Sequence, residues 1–222
     1  MEINFNPSLN FTSRSQTIRK ADDFARKIKS LYPMVSNSKM ETLSCVDFNS
    51  PPILKLQMRI TQLRKAMEYG FKESTEMVDK LRRLIEPIAT CAVGNCAESA
   101  ILASIAAKVN GIKNCHIAGL YDNNLKNIDH AVLLVKDKKP YIIDSWIGFA
   151  DYLPEATNRY KGEFKYMIDG GKVPDKIKYI PEKCTNIEIY LNNLTESFKL
   201  REIKREFQEL NFNINPAQSK IQ

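Results

Sequence analysis

The chain is short of the features that mark the simplest functional classes. It has no long apolar run: its longest nearly apolar stretch, Ile101–Val109, is interrupted by Lys108. That is far below the roughly 20 residues needed to cross a bilayer as a helix. The opening segment MEINFNPSLNFTSRS lacks a basic region followed by an apolar core, so no secretory signal peptide is expected there. A cytoplasmic-type soluble chain is the expectation, with export by a specialised secretion system still compatible. Cysteine is sparse and odd in number: Cys45, Cys91, Cys96, Cys115 and Cys184 form no dense framework, which favours free thiols in a reducing compartment. Histidine is scarcer still, with only His116 and His130. Internal repeats and low-complexity tracts are absent.

What is present is ordinary for a folded domain. Hydrophobic residues make up 43% and charged residues 27% of the 222 residues, so disorder is not expected. The length fits one large domain, or a domain with a helical appendage. The net charge of +7 would attract acidic partners. The densest basic group, Arg14, Arg19, Lys20, Arg26, Lys27 and Lys29, is broken by Asp22 and Asp23. It reads as a solvated helix face rather than a nucleic-acid patch.

The first part of the chain reads as helices. Ser13 or Ser15 caps a helix to about Leu31, stopped by Pro33; a polar loop follows, ending in Pro51-Pro52. A second helix spans about Ile53 to Tyr69, closed by Gly70, and a third runs from Ser74 to Ile85, stopping before Pro87. Ile88 to Asn95 is a loop. Cys96 to Val109 is apolar nearly all round, as a helix buried in a domain centre would be. Strand candidates follow at Cys115–Tyr121, Asp129–Val135 and Pro140–Trp146, then at Glu163–Ile168, Lys176–Ile180 and Ile187–Leu191. Thr195 caps a closing helix to about Leu210, and the tail is loose. Helices first and strands later is an α+β order. The expected units are a helical region over 1–87 packed on the core, a catalytic α+β core over 88–210, and a tail over 211–222.

The chemistry concentrates in the middle. In GNCAESA, Asn95 is a good N-cap and Glu98 completes a capping box, which makes Cys96 the first helical residue. Unpaired backbone N–H groups and the helix dipole favour a thiolate there. An ordinary small residue at the helix start is the plainer reading of that fact alone. His130 opens the apolar run HAVLLV after a polar loop, as a base presented at a sheet edge would. Asp144 stands where PYIIDSW turns from apolar to polar, placed to orient an imidazole. Together these residue types supply a nucleophile, a base and an orienting acid.

Helix-borne Cys, strand-borne His and Asp on the next strand resemble the papain-like superfamily, and the aspartate resembles its transglutaminase-like branch. GNC with Glu two positions on, DHAVLLV and IIDSW resemble motifs of small bacterial members, many of them effectors injected into host cells. The resemblance covers roughly Cys91 to Ala150. It implies a papain-like or transglutaminase-like core, a buried Cys-bearing helix on an antiparallel sheet, with Cys96 as nucleophile, His130 as general base and acid, and Asp144 as its orienter. It implies acyl transfer on protein amide bonds through a thioester, as protease, deamidase or transglutaminase, with no cofactor and a protein substrate, such as an acidic host protein. The glutamine that papain-like proteases place before their cysteine has no counterpart, Thr90 standing six positions upstream. The N–H of Cys96 is then the one assigned oxyanion donor.

Two other readings compete. Cys91, Cys96, Cys115 and His116 contain zinc-ligand types, although adjacent Cys115 and His116 on a strand point to opposite faces. A basic binding module with a vestigial triad is the second. Asn95 and Glu98 support the helix start, and Trp146 packs beside the site. Cys115, Cys184 and His116 read as structural; Tyr152, Tyr160 and Asp169-Gly170-Gly171 could line the substrate groove, but read more simply as surface loops. A hairpin turn centred on Asp137 would set His130 directly opposite Asp144, whereas a one-residue slip would send them to opposite faces. With no glycine there, Asp137 or Lys138 is the expected positive-φ residue. Cys96 is expected on the free side of the imidazole.

Overall fold

The computed structural model describes residues 15–34, 51–75, 77–110, 112, 114–163 and 174–181. Helix α1 (Gln16–Leu31) starts at Ser15, whose hydroxyl accepts from the Ile18 N–H at 3.3 Å. Helix α2 (Pro51–Glu73) begins on the two prolines themselves, not after them. Proline suits a first helical turn, where its missing N–H has no intrahelical partner in any case. Gly70 does not end α2; the helix continues to Glu73. A Cβ at Gly70 would lie 2.9 Å from the Arg83 Cβ, so the glycine serves close packing against helix α3 (Met77–Cys91) rather than termination.

Pro87 lies inside α3, where the sequence suggested a stop. The apolar stripe explains the continuation: Leu81, Leu84, Ile85 and, beyond the proline, Ile88 are all buried in one core with α2. Burial of such residues stabilises by about 1.5–3 kcal/mol each, which offsets the roughly 3 kcal/mol of an interior proline. A single helix thus runs through the boundary drawn between residues 87 and 88.

Helix α4 (Cys96–Val109) spans the expected residues, and Leu102 to Ala107 are buried throughout. Strands β1 (Cys115–Tyr121), β2 (Asn127–Val135), β3 (Tyr141–Asp144), β4 (Phe149–Tyr152) and β5 (Lys178–Pro181) form one antiparallel sheet in the order β4-β3-β2-β1-β5. Helix α5 (Leu153–Glu163) follows β4. No element was expected at β4 or α5. The strand candidate at 163–168, except for Glu163 at the end of α5, lies outside the described residues. So do the candidate at 187–191, the closing helix from Thr195, the tail, Asp169-Gly170-Gly171, Cys45 and Cys184.

The layers follow from side-chain alternation. On one face, Leu133, Val135, Ile143 and Ala150 pack on Ala103 and Ala107 of α4 and on Ile18, Ala21 and Ala25 of α1. Outside that layer, α2 and α3 pack on Leu102, Ile105 and Ala106. The opposite face, with Val132, Leu134, Ile142 and Phe149, is covered by Ala156 and Tyr160 of α5. The fold is α+β, five helices and a five-stranded sheet among the described residues. Asp22 ties these parts together. It is buried, not on a solvated face: its carboxylate accepts from the Ala150 N–H at 3.0 Å and from Arg159 at 3.3 Å, and pairs with Arg26.

The β2–β3 register differs from the expected one by two residues. Leu133 faces Ile143, Leu134 faces Ile142 and Val135 faces Tyr141, which centres the connection on Lys138. The shift is even, so facial parity survives. His130 and Asp144 share a face diagonally rather than directly opposite. Positive φ occurs at Asp129 (53°), not at Asp137 or Lys138.

Candidate active site

Three elements bring the sequence-predicted residues together. The decisive local feature is a break in β2. Gly119 faces Ala131 while Tyr121 faces Asn127, so two steps along β1 match four along β2. The extra residues bulge at Ile128–His130, with Asp129 in the left-handed region and its N–H bonded to the Asn127 side chain at 2.7 Å. Bulges re-aim side chains and occur often beside functional sites. Here the break sits at His130 and turns the Asp129 carbonyl toward the start of α4, 3.9 Å from the Cys96 sulfur.

His130 and Asp144 form a buried pair, with Nε2 to Oδ2 at 2.7 Å. A carboxylate only accepts, so Nε2 carries the hydrogen and Nδ1 is left for the other partner. Three further donors hold Asp144. The Tyr160 hydroxyl donates to Oδ2 at 2.8 Å, and the N–H groups of Trp146 and Ile147 donate to Oδ1 at 3.1 and 3.0 Å. The Gly148 N–H, at φ 95°, closes the turn onto the Asp144 carbonyl at 2.8 Å. The imidazole is boxed by the Trp146 ring at 5.4 Å and, edge-on, the Tyr160 ring at 5.7 Å.

The electrostatics of this pair have a definite sign. Burial opposes a charge on His130, but the charge and hydrogen bond of Asp144, followed by those of Cys96, outweigh it. The imidazole is raised to about 10. Tyr160 is pushed well above its usual value by burial and then by the adjacent carboxylate, which keeps its hydroxyl a donor.

Cys96 is half-buried and reaches the site from the opposite sheet face. His130 and Asp144 face α5, whereas the helix carrying Cys96 covers the other side. The Cys96 side chain comes to the broken end of β2, where its thiol faces the Asp129 carbonyl at 3.9 Å and helps raise the neighbouring imidazole. Two fastenings fix the helix start. Glu98 accepts from the Asn95 N–H at 2.8 Å and takes a two-pronged bond from Arg64 at 2.7 and 3.2 Å. Ser145 donates to the Ser99 carbonyl at 3.0 Å and pairs with the Ser99 hydroxyl at 2.7 Å, tying the first turn of α4 to the residue after Asp144. Asn95 and Glu98 thus hold the cysteine loop. The guanidinium of Arg64 is raised by its bond to Glu98 and by that carboxylate's charge, against the burial that lowers it.

Sequence reasoning missed Tyr160, Arg64, Ser99 and Ser145. Tyr160 was read as a surface loop but is buried on α5. Leu153, Ala156, Thr157 and Tyr160 follow helical spacing, with Pro154 near the start, and that signal was available. Arg64 carried none, since a basic residue on an amphipathic helix has no mark of a remote partner. Tyr152, also read as a surface loop, instead pairs its hydroxyl with Ser15 at 2.8 Å. The zinc grouping is not brought together: among the described residues no three His, Cys, Asp or Glu side chains gather to hold a metal. No helix among them is long and apolar enough to cross a membrane. Comparison of the chain with protein-family models, characterised proteins and solved structures found no match.

Proposed function

We propose that the protein is a cysteine-dependent acyl-transfer enzyme acting on protein amide bonds through Cys96, His130 and Asp144. The observation that carries this reading is a buried imidazole–carboxylate pair, its acid held by three other donors, with the Cys96 thiol brought beside it at the start of α4. A structural histidine would not need a half-exposed cysteine beside it. The papain-like and transglutaminase-like resemblance of the same residues points the same way.

In the proposed cycle, His130 holds the proton of Cys96 and the thiolate attacks an amide carbonyl. The tetrahedral oxyanion is met by the N–H of Cys96, which has no intrahelical acceptor at the first helical position. The C–N bond then breaks, with His130 passing its proton to the departing amine or ammonia and a thioester left on Cys96. Water, giving its proton to His130, releases the acid; an amine in its place gives a new amide. Asp144 keeps Nδ1 directed at the sulfur and stabilises the imidazolium. A His130 raised to about 10 is charged at neutral pH, ready to protonate the leaving group.

The test is mass spectrometry of candidate protein substrates incubated with wild type and with Cys96→Ala. A cut, a one-dalton gain or a crosslink made only by wild type is expected, and each names one of the three outcomes. Identical products from both proteins would overturn the reading.

A further inference from the structure

A cavity of about 130 Å³ adjoins this site, lined by Lys29, Tyr32, Pro33, Met34, Ser145 and Trp146. Two of its walls belong to the catalytic segments. Ser145 follows Asp144 and is bonded to Ser99 on the first turn from Cys96. Trp146 is the ring beside His130. The other walls come from the end of α1. Met34 lies against the loop before the nucleophile, since a Cβ at Gly94 would be 2.6 Å from its sulfur. The cavity therefore sits between the end of α1 and the segment after Asp144, with Met34 bridging its wall to the loop before Cys96.

Its chemistry is one-sided. Among the described residues of the lining, Pro33, Met34 and the two rings give apolar walls and Lys29 the one charge, while the Ser145 hydroxyl is turned to Ser99. The Lys29 ammonium donates to the Ile147 carbonyl, which uses one of its three hydrogens. The volume corresponds to about four waters at ~30 Å³ each, room for an aliphatic stem with a small polar tip. The net charge of +7 attracts the same kind of partner.

We propose that this cavity is a substrate subsite that takes an acidic side chain, glutamate or aspartate, with Lys29 as the residue that reads its charge. The inference rests on the acyl-transfer reading and names its substrate class: a protein segment with an acidic residue close to the amide attacked by Cys96. Lysine and arginine side chains are excluded by like charge at Lys29, and leucine gains the walls but not the tip.

The experiment uses the full chain and short peptide vinyl sulfones in which glutamate, glutamine, leucine or lysine is scanned through each position. Labelling of Cys96 is followed by mass spectrometry, and each rate is divided by the same protein's iodoacetamide rate. At one position glutamate should label at least ~10-fold faster than lysine. That ratio should fall several-fold between low and ~0.5 M salt, since screening weakens a charge contact at an open site. Lys29→Met should bring it to within about 3-fold, and Lys29→Glu should reverse it. The salt series on wild type decides the matter even where a Lys29 variant does not fold. Selective iodoacetamide labelling of Cys96 without any glutamate preference, or with a preference that survives salt and both variants, overturns the subsite alone. Failure of iodoacetamide to select Cys96 overturns the acyl-transfer reading and the subsite with it.

Discussion

The two ends of the candidate site are built differently. At the acid end, Asp144 is 1% exposed and accepts four hydrogen bonds, from His130, Tyr160, Trp146 and Ile147. At the cysteine end, Cys96 is half-buried, and its loop is held by Glu98 and the half-exposed Arg64. A buried carboxylate must be fully satisfied to remain charged. A nucleophile must be reachable, so it cannot be enclosed in the same way. The acid end therefore sets geometry, while the cysteine end keeps access.

The largest effects should come from breaking the chain that joins the two ends. Cys96→Ala and His130→Ala should each lower activity by at least ~10³-fold while preserving the circular dichroism of the fold, and the double variant should be little worse than either. His116→Ala, at a half-buried position on β1, should stay within a few-fold of wild type. Strict additivity of the Cys96 and His130 losses would separate them into unrelated roles.

The acid end also predicts a pH signature in stability. His130 is raised from 6.5 to about 10 on folding, so the folded chain holds a proton in that window that the unfolded chain does not. Its contribution to stability is fully present below about 6.5 and is lost as pH rises through about 10. Urea unfolding should show wild type losing stability across that window more steeply than His130→Gln. Parallel pH curves would mean that the imidazole is neutral in the fold.

Smaller effects distinguish the supports. Tyr160→Phe removes one donor to a buried carboxylate, for which about 1.5–3 kcal/mol of stability is expected. Activity should fall about 10-fold, read as initial rate beside the melting curve. Arg64→Met should cost only about 1 kcal/mol because that side chain is half-exposed. It should still slow alkylation of Cys96, since a buried Glu98 then faces the thiol uncompensated. Adding Glu98→Gln should restore part of that rate, a recovery that a purely structural role for Arg64 would not give.

Much of this comparison was legible in the sequence, for physical reasons that differ between residues. Cys96 was marked by its cap, Asn95 with Glu98, and by an all-apolar helix behind it. His130 and Asp144 were marked by their places at the polar ends of apolar runs, and parity put them on one face although the turn centred on Lys138 and not Asp137. The bulge at Asp129 was not legible, because a left-handed aspartate leaves no trace without a glycine to announce it. Pro87 misled because local propensity pointed to a stop, while burial of Ile88 decided for helix. Asp22 misled in the same way: charge pattern alone places it in water, and only the return of β4 and α5 shows the groups that it binds. Arg64 supports the site from an element remote in sequence, where adjacency gives no warning, whereas the helical spacing that carries Tyr160 was there to be read.

The most direct test sets chemistry against exposure. Among the described cysteines Cys91 is exposed and Cys96 only half-buried, so accessibility alone favours Cys91 over Cys96. Limiting iodoacetamide at about pH 6, with peptide mapping of all five cysteines, should instead label Cys96 first in wild type. His130→Ala should remove that preference. Labelling led by Cys91, or a Cys96 rate unchanged by loss of His130, would contradict an activated thiol at the centre of this site.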